Sequence, residues 1–339
     1  MTGRLIYAKA IIVVMVMTSL LLTGEDQGVG GEISIIGLGH FTGRALSPSL
    51  LLRPGIAMVH MPVKLKGTWT IGLEGSWGNI WNDEPGSYTI DCELIRVEPR
   101  LTYTLLNHCE IGVFFPISGR IGGFADDFIE GFHEFHQLPN ASRAKFPRDR
   151  CLIEVTNKDG NRIALDGNSW GINDLPVFAS VLLTEGTTLW PAVSGQLTIT
   201  VPVGEEDELQ GLGTPVYEIG TMLSKRLGAS RFVVCLGGSL SYCSKKELIR
   251  IPLREIIYNG LMAMEYQCGS GFSVLAQYFI SSPPARDFYE LSEPINELNL
   301  GFKWRLTESL LLEMSVMENL FNYRNSTDIG MSFGLTQSW

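Results

Sequence analysis

The chain has 339 residues, a formal net charge of −10 and 45% hydrophobic residues, but only 18% charged residues. Globular domains average roughly 25% charged residues, so this composition disfavours a cytosolic enzyme, and the acidic net charge disfavours a nucleic-acid partner, which requires a basic surface. The 37 Gly and 16 Pro argue against long helices, and beyond the N-terminal segment no apolar run approaches the roughly 20 residues of a membrane-spanning helix.

The N-terminus predicts a secretory signal peptide over residues 1–24. Arg4 and Lys9 precede a largely apolar stretch at 10–22, which suits a signal core and is too short to span a membrane. An uncleaved anchor is the alternative interpretation. Residues 25–65 follow as a periplasmic segment, an inner plug or an extra strand pair, and the sequence leaves all three open.

Apolar and polar residues alternate in repeated stretches from residue 66 to the end of the chain. Such alternation predicts strands with a different solvent on each face. One face is apolar, as lipid requires, and the other is small and hydroxylated with scattered charges, as a wet interior tolerates. The twelve predicted strands are 66–79, 87–106, 108–118, 173–185, 187–203, 214–227, 231–243, 253–266, 271–282, 293–306, 308–319 and 326–338.

These strands predict an all-β fold, an antiparallel transmembrane β-barrel of about 12 strands, with 10 to 14 allowed by the uncertain boundaries. Short and long connections alternate along the chain, which is typical of bacterial outer-membrane barrels. The barrel must close because unpaired strand edges cannot face hydrocarbon. We therefore expect the bacterial outer membrane as the location and its lipids as the surroundings of residues 66–339.

The longest insertion, 119–172, begins with four phenylalanines at a spacing of three to four residues, from Phe124 to Phe135. This spacing predicts an amphipathic helix of about three turns. Glu130 and His133 have the i, i+3 spacing of metal-binding helices, but the motif occurs once, so they are weak metal candidates. Packing of the phenylalanine face against the barrel mouth is the favoured interpretation, and no cofactor is predicted.

Three motifs resemble a known family. They are the D-x-E pair Asp91 and Glu93, the G-G-F-x-D-x-F-I-E-x-F-H stretch at 122–133, and the L-P-N-x-x-R segment at 138–143. In these the chain is similar to an uncharacterised family of bacterial outer-membrane β-barrel proteins, DUF3187. The resemblance implies a barrel fold and an outer-membrane location, and it adds no chemistry because the family has no assigned activity.

The polar strand faces supply the candidate lumen-lining residues, which are Glu74, Asp91, Glu93, Glu110, Glu265, Lys303, Arg305 and Glu313. Their net charge is acidic, and rings of charge select ions of the opposite sign, so an open lumen would favour cations or polar solutes. No nucleophile elbow, P-loop or dinucleotide fingerprint is present, so we predict no catalytic residues and no enzyme.

The predicted function is a channel or transporter for small polar solutes. A closed barrel with an envelope-structural or binding role is the alternative, with the acidic loop at 204–210 as the contact surface. A lipid-modifying outer-membrane enzyme is the third and least favoured hypothesis.

Six cysteines in an exported chain invite disulfides. Cys235 and Cys243 lie eight residues apart on one predicted strand, roughly 27 Å at the usual rise, so they cannot pair with each other. A Cys109–Cys151 bond closing the large insertion is one candidate, with apolar packing of the cysteines as the alternative.

The C-terminal strand places Phe333, Leu335 and Trp339 on one apolar face. This pattern resembles the terminal strand of bacterial outer-membrane barrels, whose last aromatic residue is recognised during insertion. The resemblance implies that these three residues form a barrel-assembly signal, with the assembly machinery as a partner.

Overall fold

A computed structural model describes residues 37–47, 50, 53, 66–84, 86–124, 126–135, 147–156, 160–318 and 327–339. The predicted signal peptide lies outside the described residues, as do 25–36 and most of 48–65. Within helix 126–135, the side chains of Phe128, Ile129, Phe132 and His133 are also outside the description.

The described residues form eighteen strands, one α-helix and one short 3-10 helix. The strands are β1 (Trp69–Glu84), β2 (Tyr88–Leu106), β3 (Cys109–Phe114), β4 (Ile117–Ile121), β5 (Leu152–Thr156), β6 (Arg162–Asp166), β7 (Ser169–Ile172), β8 (Leu175–Thr184), β9 (Ala192–Val201), β10 (Val216–Arg226), β11 (Phe232–Cys243), β12 (Glu247–Leu248), β13 (Ile251–Pro252), β14 (Ile256–Gln267), β15 (Phe272–Ser281), β16 (Ile295–Arg305), β17 (Leu310–Glu318) and β18 (Ile329–Ser338). The helices are α1 (Asp126–Phe135), in the long insertion, and the 3-10 helix Tyr289–Ser292.

A ring of antiparallel pairs closes the barrel, because β1 pairs with β18 on one side and with β2 on the other. Two wall strands are interrupted: β3 continues as β4 after Pro116, and β7 continues as β8 after Asn173. Proline cannot donate a ladder hydrogen bond, which accounts for the first break. Counting each interrupted pair once gives twelve wall strands, and the predicted twelve-stranded antiparallel barrel is confirmed.

The two faces of the wall are inverted relative to an ordinary globular fold. Outward-facing Ile71, Leu197 and Met331 are 46%, 59% and 52% exposed, whereas inward-facing Glu98 and Gln196 are 2% and 4% exposed. Charged and amide side chains are rarely fully buried in soluble proteins unless they are paired. An apolar outer belt with a polar interior is the distribution of a barrel that stands in lipid.

No helix among the described residues is long and apolar enough to cross a membrane.

The connections differ between the two ends of the barrel. Turns at 107–108, 268–271 and 306–309 lie at the same end as the C-terminus, which we call the short-turn end. The connections at 202–215, 244–255 and 282–294 lie at the opposite, long-connection end, as does the insertion. This asymmetry is the one that the sequence predicted from alternating connection lengths.

An apolar cluster, the cap, fills the long-connection end. It joins the upper parts of β1 and β2, the β5–β6 hairpin, and the connections that precede β10, β14 and β16. Its fully buried members include Ile251, Ala285 and Phe288. Because these elements come from different parts of the ring and meet in one core, the cap extends across the barrel mouth from β1 and β2 to the β10–β16 side.

The disulfide differs from the candidate pairing. Cys92 on β2 is bonded to Cys151, which precedes β5, whereas Cys109 is a free cysteine. The predicted Cys109–Cys151 bond is therefore wrong. The reason is positional, since Cys109 lies beside the turn at the short-turn end, while β2 carries Cys92 up to the insertion at the other end.

The last residue completes the wall. The Trp339 N–H donates to the Trp69 carbonyl, and the Trp69 N–H donates to the Trp339 carbonyl, both at 3.0 Å. Phe333 and Trp339 are exposed, and they share the outward face of β18 with Leu335. Their role as an assembly signal stays a prediction.

Candidate functional site: the barrel lumen

The lumenal segment, residues 37–47, lies inside the barrel against the inward-facing side chains. Its first contact is with Glu265 of β14, which accepts the N–H groups of Leu38, at 2.9 and 3.0 Å, and of Gly39, at 3.1 Å. Ser273 also donates to Glu265. Gly37 and Gly39 have positive φ, and a Cβ on Gly37 would lie 2.1 Å from a Glu265 oxygen, so this approach requires glycine.

The second contact is with a buried ion pair on neighbouring strands. Lys303 Nζ of β16 lies 2.8 Å from Glu313 Oε2 of β17. The other carboxylate oxygen of Glu313 accepts the Thr42 N–H at 2.9 Å and the Thr42 hydroxyl at 2.5 Å. Beside it, the Phe41 N–H donates to Gln277 at 2.8 Å. Both predicted lumen residues, Lys303 and Glu313, thus face the lumenal segment.

The third contact joins the segment to β2 through charge. Arg44 Nε donates to Glu98 Oε1 at 2.9 Å, and Arg96 donates to Glu98 Oε2 at 2.7 and 3.0 Å. The Arg44 guanidinium also lies 5.3 Å from the centre of the Phe114 ring, within cation–π range. Glu98 is therefore shared by one cation of the wall and one of the segment.

The chain continues towards the long-connection end. The Leu46 N–H donates to Glu297 at 3.2 Å. Arg53 donates to the carbonyls of Arg254 and Glu255 and, at 2.7 Å, to the Ser241 hydroxyl. Because Glu265 lies near the short-turn end and Arg254 near the other, the contacts from Leu38 to Arg53 run along the length of the lumen.

Three further predicted residues also follow the inward face. Glu74 lies 3.8 Å from Arg100, and Glu110 accepts a hydrogen bond from Thr104 at 3.4 Å. Arg305 lines a cavity at the short-turn end. Together with Glu265, Lys303 and Glu313, these side chains belong to one polar interior.

Asp91 and Glu93 do not belong to the lumen. The unbroken β1–β2 register alternates faces along β2, so these two residues lie opposite to the inward-facing Glu98. Glu93 accepts the indole N–H of Trp77 at 2.7 Å and the N–H of Phe124 at 2.9 Å, and the start of the insertion covers it. Their prediction as lumen-lining residues is wrong, because the insertion buries this part of the outer face.

Sequence reasoning did not single out Glu98, Glu297 or Arg44. A signal for Glu98 was present, since Arg96, Glu98 and Arg100 form a run of charges at alternate positions of one strand, and such a run marks a polar face. Glu297 and Arg44 have no comparable signal, because each depends on how the lumenal segment is placed.

The insertion carries the weak metal candidates. Glu130 is paired with Arg148 at 2.6 Å, and Arg148 also pairs with Asp127. These two carboxylates raise the pKa of Arg148. The side chain of His133 lies outside the description, and within the described ranges no group of three or more His, Cys, Asp or Glu could hold a metal ion.

The acidic loop at 204–210 is anchored to the barrel. Arg120 of β4 lies 2.6 Å from Glu208. A hydrogen bond from Ser169 and the Arg120 guanidinium lower the pKa of Glu208. Asp174 accepts the N–H groups of Val203 and Leu212 on either side of the loop, at 2.9 and 2.8 Å, so the loop is folded against the mouth.

A closed antiparallel barrel with an apolar outside and a hydrogen-bonded polar inside defines the outer-membrane β-barrel class. The family model described as "Protein of unknown function (DUF3187)" matches residues 33–339. The chain belongs to this family, as its motifs indicated.

Among solved structures, an outer-membrane channel from Pseudomonas putida F1 is similar in fold, with a TM-score of 0.54 at 11% identity over 83% of this chain and 97% of that chain. The NanC porin is also similar, with a TM-score of 0.44 at 10% identity over 79% of this chain and 98% of that chain. None of the curated proteins matches the chain.

Proposed function

We propose that the protein is a gated channel of the bacterial outer membrane for small polar solutes, and that the lumenal segment is its gate. The observation that carries this proposal is the chemistry of the contact between segment and wall. The segment is held mainly by N–H donors and Arg44 against carboxylates, and its buried apolar side chains are Leu38, Phe41 and Leu46. Water and polar solutes can replace these polar contacts.

The energetics support a gate that can move. Each hydrogen bond to a charged group contributes about 1.5–3 kcal/mol net, because water takes its place when it breaks. A wall of Glu, Gln, Ser and Thr remains solvated after the segment leaves, as the interior of a water-filled barrel is. The polar contacts can therefore exchange for water one at a time, and the apolar cost of release is confined to Leu38, Phe41 and Leu46, at about 1.5–3 kcal/mol for each side chain.

The outer belt supports the location and the partners. Its exposed apolar side chains require lipid, so the outer-membrane lipids are the surroundings of the wall. The aromatic C-terminus on the same face suits recognition by the assembly machinery.

The cap favours a second candidate, a closed barrel with an envelope-structural or binding role. Its apolar cluster extends across the long-connection end, and the anchored acidic loop would then be the contact surface. No observation on the described residues favours a lipid-modifying enzyme.

A reversible tether separates these two functions. An ideal Cβ on Gly43 lies 2.9 Å from the Ser332 Cβ, so a shift of less than about 1 Å brings the pair Gly43→Cys and Ser332→Cys to the Cβ spacing of a disulfide. In planar bilayers we expect current through the wild type and none through the oxidised double variant, with current restored by reduction. Wild-type protein treated with the same reductant is the control, since it contains Cys92–Cys151.

Two other outcomes would contradict the proposal. Equal current through the tethered and the wild-type protein would reject the segment as the gate. An absence of current from both the wild type and the reduced variant would favour the closed barrel.

A further inference from the structure

A cavity at the short-turn end, which we call the vestibule, lies between the lumenal segment and the wall strands β1, β2, β16, β17 and β18. Its volume is about 140 Å³, which is large enough for a small solute with water around it. Its wall contains three basic side chains, Arg100, Lys303 and Arg305, and two acidic ones, Glu308 and Glu313.

The two acidic side chains differ in how far they neutralise the basic side chains of the vestibule. Both oxygens of Glu313 are occupied, one by Lys303 and the other by Thr42. Glu308 lies in the exposed turn at the rim. A ligand inside the vestibule would therefore meet a saturated carboxylate, the cation of Arg305, and Arg100, whose Nη1 faces Glu74 at 3.8 Å and whose Nε has no hydrogen bond among the residues described.

Hydrogen-bond donors in the vestibule are also available. Thr102 is 2% exposed and Arg100 is 6% exposed, and neither the Thr102 hydroxyl nor Arg100 Nε has a hydrogen-bond partner among the residues described. Arg100 has a weak contact with the Thr336 hydroxyl, at 3.5 Å. Buried polar groups are normally satisfied, so donors without partners beside a cavity indicate that something polar binds there.

We propose that the vestibule binds a small anion bearing a carboxylate or a phosphate group, with Arg305 and Arg100 supplying charge and Thr102 supplying a hydroxyl donor. Guanidinium groups bind both kinds of anion through charge-assisted hydrogen bonds. This inference rests on the proposed function in that it names the solute class of the channel. It reverses the cation preference expected from the sequence, because the buried carboxylate of the vestibule wall, Glu313, is engaged by Lys303 and Thr42.

Binding is tested apart from transport. Inorganic phosphate and acetate are titrated separately into the full-length protein in detergent micelles by calorimetry, at low ionic strength. We expect saturable binding of at least one of them to the wild type. Arg305→Gln should weaken it roughly tenfold, the loss expected for one charge-assisted hydrogen bond, and Thr102→Val should weaken it by a smaller factor.

The matched control is Arg250→Gln, which removes an exposed arginine between β12 and β13 at the opposite end. It should bind like the wild type. A change in the gel mobility of each variant on boiling shows that its barrel is folded.

Binding of phosphate alone or acetate alone identifies the anion class and supports the site. No saturable binding, or equal binding by Arg305→Gln, Thr102→Val and the wild type, would overturn it. Anion binding without any current would leave the vestibule intact and reject the channel.

Discussion

Arg44→Gln is the substitution that tests the gate most directly. Arg44 belongs to the lumenal segment and reaches Glu98 at 2.9 Å, with both side chains almost fully buried at 8% and 2% exposure. Glu98 keeps both hydrogen bonds from Arg96 to its Oε2 when Arg44 is removed. The change therefore loosens the segment without leaving an unpaired charge in the wall.

The expected magnitude follows from two lost interactions. A hydrogen bond between charged groups contributes about 1.5–3 kcal/mol, and the cation–π contact with Phe114 adds roughly 0.5–1 kcal/mol. Glutamine recovers part of this through its own amide. A net loss of about 2 kcal/mol corresponds to roughly a 30-fold rise in the population of the released segment.

The assay is the fraction of open time in planar bilayers. Arg162→Gln is the control, because Arg162 forms an exposed pair with Glu154, with 59% of the Arg162 side chain accessible, and exposed pairs contribute little. We expect a large increase for Arg44→Gln and none for the control. An unchanged open fraction in a barrel that keeps its heat-dependent gel shift would refute the reasoning.

Three further predictions concern the insertion, the junction of β1 with β18 and the acidic loop. Cys151→Ser removes the bond to Cys92 and should destabilise the insertion by about 2–4 kcal/mol, which limited proteolysis would detect as faster cleavage in 122–168 with an unchanged barrel. Deletion of Trp339 removes both hydrogen bonds to Trp69 and should lower the fraction of membrane-extracted protein whose gel mobility changes on boiling. An unchanged fraction would reject the terminal assembly signal. The Glu208 pKa lies below its ordinary value of 4.5, so its stabilising contribution is complete above that pH and is lost as the pH falls through the lowered pKa. Protease sensitivity of the loop at 204–210 should appear only on that acidic side, and sensitivity at neutral pH would contradict the anchoring.

The barrel was predictable because its signal is local and repeated. A strand that separates lipid from a polar interior shows a period of two in its own residues, and twelve such strands reinforce one another. The break after Pro116 and the longer upper part of β1 lay beyond this reasoning. The first depends on one missing donor, and the second on continued pairing with β2 up to Glu84 and Tyr88.

The contacts inside the lumen were less predictable because the lumenal segment binds residues that are far from it in the sequence. The segment at 37–47 contacts Glu265, Glu313 and Glu98, which lie 54 to 271 residues away. No periodicity links such partners. The acidic residue type of Asp91 and Glu93 suggested a position in the lumen. Their position in the alternation of β2 places them on the outer face. Strand register was therefore a better predictor of the face than residue type.

The two closures of the barrel differ in chemistry, and this limits the current that opening can produce. The lumenal segment is held mainly by polar contacts and buries three apolar side chains, Leu38, Phe41 and Leu46, whereas the cap buries a cluster of nineteen side chains. Exposing a single buried aliphatic or aromatic side chain costs about 1.5–3 kcal/mol, so the cap as a whole does not open thermally. While the cap stays in place, solutes that pass a released segment must leave beside it. Arg44→Gln should therefore give frequent openings of small conductance, and wide, porin-like openings would show that the cap moves with the segment.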